Sequence, residues 1–205
     1  NTYISFDYFR TQFAQQMVVD YGATQIDFYA LDGRQSFTDN YQVDFSVDPV
    51  ERFNITATFR YTNAKIQLKG SEAPVEKPMT SRFKGVLNLQ YATNLNKWIF
   101  DFTASANGSC RVYDFMESLT DKDGNLLYKN GRTPVYPLLY AQVTRRFKGW
   151  DVYLGAENLT NFRQQNAIIG ASNPRQPSFD ASCIWGPLMG IKAHIGFRFT
   201  LWKTN

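Results

Sequence analysis

A single histidine and two cysteines leave most nucleophile and metal chemistry to very few residues. His194 alone would have to serve any Ser-His or Cys-His pair. It alternates with Ile195 in an apolar/polar run, a position that reads as a polar side chain on the wet face of a strand rather than as a catalytic base. Cys110 and Cys183 lie far apart in the chain with no pair of histidines to join them, so they make no zinc site. They are either one disulfide or two free thiols. The carboxylates Asp101, Asp151 and Glu157 occupy the same alternate positions as Arg60, Lys192 and Arg198, and ion pairing on that face explains them better than acid-base catalysis. Asp121-Lys122-Asp123-Gly124-Asn125 has the acidic start of a calcium loop, but its glycine comes too early and the distal glutamate is missing. Its Asp-Gly pair reads as a hairpin turn. The chain is therefore expected to be no enzyme, with no cofactor and no metal.

Binding chemistry is easier to find. The segment from Arg111 to Pro137 mixes tyrosines with charges, and the segment from Leu159 to Met189 mixes Phe162, Phe179 and Trp185 with arginines. Tyr113, Tyr128, Arg163, Arg175, Phe179 and Trp185 are the candidate ligand contacts, since aromatic rings and guanidinium groups suit capture of a small molecule. They suit loops that pack on one another equally well. The net charge of +4 is spread along the chain without a run or stripe, so nucleic acid is not an expected partner.

The elements that carry these residues show themselves by alternation of period two. Ile191, Ala193, Ile195, Phe197, Phe199 and Leu201 are apolar, and the residues between them are not. The same pattern recurs over Trp150–Glu157, Leu139–Thr144, Trp98–Asn107, Leu87–Tyr91, Phe53–Thr62 and Tyr41–Val47. Each run puts apolar side chains on one face of a strand and polar ones on the other. The stretch Thr2–Tyr21 reads as a less regular strand, with a phase slip near Tyr8 and Phe9 that predicts a bulge. About eight strands result, joined alternately by short links (Asp48–Arg52, Thr93–Lys97, Lys148–Gly149) and long ones (Gly22–Gln35, Lys69–Thr80, Arg111–Pro137, Leu159–Met189).

That asymmetry, with an aromatic content of 16%, predicts an all-β, antiparallel wall of a transmembrane β-barrel over residues 1–205. Trp98, Trp150 and Trp202 fall near the short-turn rim beside Phe53, as an interfacial belt requires. No window approaches the ~18 unbroken apolar residues of a spanning helix. A soluble β-sandwich alternates too, but its core would favour compact aliphatics and its turns would be of mixed length at both ends.

The segment Tyr153–Leu201 adds specific pieces: Glu157-Asn158-Leu159-Thr160-Asn161, Phe179-Asp180-Ala181-Ser182, Ile184-Trp185-Gly186-Pro187 and Gly196-Phe197-Arg198-Phe199, with Asp7-Tyr8-Phe9 and Lys77-Pro78 upstream. These resemble the C-terminal end of TonB-dependent outer-membrane receptors, in the branch with a carboxypeptidase-regulatory-like N-terminal extension. The resemblance implies residence in the bacterial outer membrane and a barrel of about 22 strands, of which these form the last third or so. It also implies active nutrient uptake. The partners it implies are outer-membrane lipid, the remainder of the barrel, a plug, TonB reached through sequence N-terminal to this chain, and a nutrient ligand of unspecified class. A self-contained eight-stranded barrel acting as anchor or adhesin is the competing expectation, and hydrogen bonding between the first and last strands would mark it.

Overall fold

The computed structural model describes residues 1–22, 25–121, 123–177 and 179–201. Among them eleven strands follow one another: β1 (Thr2–Gln12), β2 (Met17–Tyr21), β3 (Ile26–Ala30), β4 (Ser36–Val50), β5 (Phe53–Ile66), β6 (Val75–Glu76), β7 (Phe83–Ala92), β8 (Trp98–Asn107), β9 (Tyr136–Arg146), β10 (Trp150–Glu157) and β11 (Lys192–Phe199). Eight of them form one antiparallel meander in the order β1-β4-β5-β7-β8-β9-β10-β11. β6 lengthens the sheet beside β5, and β2 pairs with β3 as a separate hairpin. Each sequence-predicted strand is present, and short turns fall at one rim with all four long connections at the other. Trp98 and Trp150 start their strands at the short-turn rim; Trp202 lies outside the described residues.

Two details differ from the sequence reading. The β1–β4 ladder runs without interruption from Thr2 opposite Val47 to Gln12 opposite Phe37, so there is no bulge at Tyr8 and Phe9. Aromatic residues stand on both faces of β1, which disturbs the sequence pattern without disturbing the backbone. The irregularity lies in the partner strand, between Val47 and Val50. Met17–Tyr21 is also not a continuation of β1: the chain leaves the sheet after Gln12 and folds back as β2.

The ladders place the apolar positions of all eight strands on one face. Ile4, Phe6 and Tyr8 stand opposite Phe45, Val43 and Tyr41; these meet Ala57, Phe59 and Tyr61; the series continues through Leu87, Ala104, Leu139, Leu154 and Ile195. Nothing among the described residues covers this face: Ile4 is 70% exposed, Phe6 67% and Ile195 77%. A soluble sandwich would bury such residues between two sheets, so that reading is excluded. Rows of rings bound the face. Tyr8, Tyr41 and Tyr61 run along the long-loop side at 4.9 and 6.3 Å between neighbours. Trp98 with Phe100, and Phe147 with Trp150, edge the short-turn side. Phe53 to Tyr61 on β5 is nine residues, whose steps span ~27 Å along the strand and ~20 Å across a bilayer at a barrel tilt of about 40°.

β1 and β11 end the strand order and do not pair with each other among the described residues. The sheet is open, and the pairing that a self-contained eight-stranded barrel requires is not formed. The buried apolar residues sit instead among the long connections. Val112, Met116, Tyr128 and Cys183 form one cluster, and Val18, Leu31 and Ile66 pack as another where the β2–β3 hairpin lies against the end of β5.

Candidate functional site: polar face and loop cap

The reverse of the sheet is a hydrogen-bonded polar surface. Asp44 accepts from Thr58 at 2.6 Å and from Gln42 at 2.7 Å, while Arg60 donates twice to the Gln42 side-chain amide oxygen at 2.8 and 2.6 Å. Asn88 donates to Thr103 and Gln90 to Asp101, both at 2.8 Å. Glu157 pairs with Lys192 at 3.2 Å and Asp151 with Arg146 at 3.5 Å. The three carboxylates weighed for catalysis are thus held by neighbours on the same face. His194 stands 3.5 Å from the Gln142 side-chain amide oxygen and lies over Gly155, where a Cβ would fall 2.5 Å from its ring. Tyr153 covers Gly196 in the same way. The two glycines let bulky rings lie down across the strand pair, which gives Gly196 of the C-terminal motif its physical reason.

At the long-loop rim the connections close into a cap. Asn158, buried and at φ 52°, turns the chain out of β10. Its amide donates to the carbonyls of Phe162 and Met189 at 2.8 and 2.9 Å, and its oxygen accepts from the Phe162 amide and the Thr160 hydroxyl. Gln164 does the same further on, accepting from the Trp185 and Gly186 amides at 2.8 and 3.0 Å and donating to the Cys183 carbonyl at 3.2 Å. Tyr136 stacks on Phe162 at 4.5 Å, with Trp185 beside both. A second knot ties three segments: Arg132 and Arg82 both bond the Glu76 carboxylate, and Arg132 reaches Ser109 as well. Partial burial would raise the Glu76 pKa, but the two guanidinium groups outweigh it and hold it down to about 2.

The six sequence candidates are not gathered into one site. Tyr128 is 4% exposed inside the loop cluster and accepts a hydrogen bond from the Trp185 indole at 3.3 Å. Tyr113 packs on Tyr21 with the rings tilted and their centres 4.8 Å apart, joining its loop to the β2–β3 hairpin. Phe179 lines an open hollow of about 660 Å³ with Gln25, Ile26, Asp180 and Ser182. Arg163 is exposed beside Asn161, and Arg175 is exposed with its amide on the Asn173 side chain. Gln164, Glu76 and Arg132 were not legible as functional positions, because their partners, Arg82 aside, lie 19 to 56 residues away and include bare backbone groups. Asp121 accepts from the Asn125 and Asp123 amides around Gly124 at φ 82°, a turn closed by bonds between Asp121 and Asn125; Lys122 lies outside the described residues. Cys110 and Cys183 are both free and buried, the first against Thr133 at 3.4 Å and the second against Asp180 at 3.5 Å.

One bare apolar face between two rows of rings, a polar reverse, and short turns opposite a packed cap define a strip of antiparallel β-barrel wall. Comparison with solved structures finds the same fold in larger barrels. The siderophore receptor PiuA from Acinetobacter baumannii aligns with 97% of this chain and 26% of its own, at a TM-score of 0.59 and 14% identity. BauA, the ferric preacinetobactin receptor from the same organism, aligns with 78% of this chain and 23% of its own, at 0.51 and 12%. At these identities the likeness is one of fold. The chain spans about a quarter of the length of either receptor. No protein-family model and no curated protein matches the sequence.

Proposed function

We propose that the chain is the C-terminal barrel wall and part of the loop cap of a TonB-dependent receptor in a bacterial outer membrane, taking part in active uptake of a scarce nutrient. The observation that carries this reading is the apolar face: eight strands turn large hydrophobic side chains toward a space that nothing among the described residues fills. Lipid is the solvent that makes such a surface stable. The open edges at β1 and β11 suit pairing with the remaining strands of a larger barrel. A plug, TonB and a ligand complete the partners, and the wall itself performs no catalysis. Of the two solved structures compared above, one is named a siderophore receptor and the other a ferric preacinetobactin receptor, which makes a ferric chelate the first nutrient to try.

Separation of inner and outer membranes from cells that make the protein tests the reading. The protein is expected in the outer fraction, with Lys129 of the long connection after β8 open to a membrane-impermeant amine reagent in intact cells. Recovery in the soluble fraction would contradict it.

A further inference from the structure

Arg145 is a cation on the wrong face. The ladders place it opposite Trp98 on β8 and Val152 on β10, both on the bare apolar face. Its guanidinium lies 4.8 Å from the centre of the Trp98 ring and 5.3 Å from that of Phe147. Phe147 in turn stacks on Trp150 at 4.0 Å. Among the described residues no carboxylate pairs with Arg145; the nearby Asp151 turns to the polar face and is taken by Arg146. Exposed Lys97 and Lys148 flank it in the adjoining turns, so residues 93–98 and 144–151 bring four cations together with one carboxylate. The β4–β5 turn at the same rim carries Asp48, Glu51 and Arg52 and has no such excess.

A guanidinium held over two rings by its π contacts keeps N–H groups without an acidic partner, and a phosphate matches two of them at once. We infer that the rim around Arg145 binds the phosphate of a phospholipid in the adjoining leaflet, with Lys97 and Lys148 as secondary contacts and the Trp98, Phe147 and Trp150 rings against the upper acyl chains. A phospholipid rather than a free anion is favoured because Arg145 stands on the lipid-facing side, at the depth of the aromatic row. The inference rests on the membrane residence proposed above.

Native mass spectrometry of the full protein, purified in detergent, counts bound lipid during titration with phosphatidylglycerol, with the diacylglycerol of the same chains, and with inorganic phosphate. The diacylglycerol is expected to bind about tenfold more weakly than phosphatidylglycerol, and Arg145→Gln to weaken phosphatidylglycerol about tenfold, the scale of one lost charge-assisted contact. Trp98→Leu keeps the charge but removes the platform and is expected to cost about threefold; it replaces Arg145→Gln should that variant lose the heat-dependent gel shift of a folded barrel. Unchanged phosphatidylglycerol binding by the folded variant would overturn the site, as would equal binding of diacylglycerol or of inorganic phosphate. Failure of membrane residence shows separately, as absence from the outer-membrane fraction.

Discussion

The Trp185 indole donates to the Tyr128 hydroxyl across 3.3 Å, and so fastens the connection after β10 to the connection after β8. Both residues had the composition of ligand contacts, yet the bond they make is an internal one. Gln164 holds the Trp185 side of that junction in place through three backbone partners within the connection after β10.

Truncating Gln164 should therefore hurt more than trimming Tyr128. Tyr128→Phe removes one hydrogen bond and is expected to cost ~1 kcal/mol, whereas Gln164→Ala strands one buried and two half-buried backbone groups, the buried one alone worth ~1–3 kcal/mol. Hydrogen exchange over residues 158–191 measures both, with much faster exchange expected in the Gln164 variant.

The Glu76 knot sets a pH dependence on the cap. Its carboxyl titrates at about 2 in the folded protein against an ordinary 4.5, so the stabilisation is fully present above the ordinary value and is lost as pH falls toward 2. Proteolysis within residues 108–135 by an acid-active protease should rise between pH 4.5 and pH 2 in the native protein. Glu76→Gln should raise cleavage at neutral pH and flatten that dependence.

Both thiols should be silent in the folded state. Burial raises the Cys110 thiol, and burial with the Asp180 charge pushes Cys183 up to about 11, so little thiolate exists at neutral pH. Mass spectrometry without reduction should find two free cysteines, alkylated slowly until the protein is unfolded; a mass two hydrogens lower would reveal a disulfide instead.

A charge placed on the bare face should cost far more than one placed behind it. Leu87 lies opposite Ala57 and Ala104 near the middle of the band. Leu87→Arg is expected to destabilise by ~2–4 kcal/mol in lipid, and the neighbouring Asn88→Arg by under ~1 kcal/mol. Urea unfolding in bilayer vesicles compares the two.

The strands were legible in the sequence because a period of two survives wherever one face meets hydrocarbon and the other meets water. The pattern fails where that contrast ends. β4 begins at Ser36, five residues before the alternation from Tyr41, because Asp39 stands on the outward side above the tyrosine row. There it is buried among Tyr8, Arg10 and Asn63, which satisfy its carboxylate. The β2–β3 hairpin escaped for another reason: Val18 and Leu31 are buried by packing on Ile66 from a distant strand, which no local period encodes. The loop segments were visible as aromatic and arginine-rich, but which rings pack inward depends on Gln164 and Asn158 binding backbone groups, and backbone groups leave no mark in composition.

Site-by-site collision accessibility along β5 shows whether the bare face of the sheet meets hydrocarbon. Single spin labels at positions 55 to 60, in protein reconstituted into phospholipid bilayers, are exposed in turn to oxygen and to a water-soluble nickel chelate. Oxygen should dominate at Ile55, Ala57 and Phe59, and nickel at Thr56, Thr58 and Arg60, alternating residue by residue. Uniform access to nickel at all six positions would mean that no face of this sheet meets lipid, and would contradict the account.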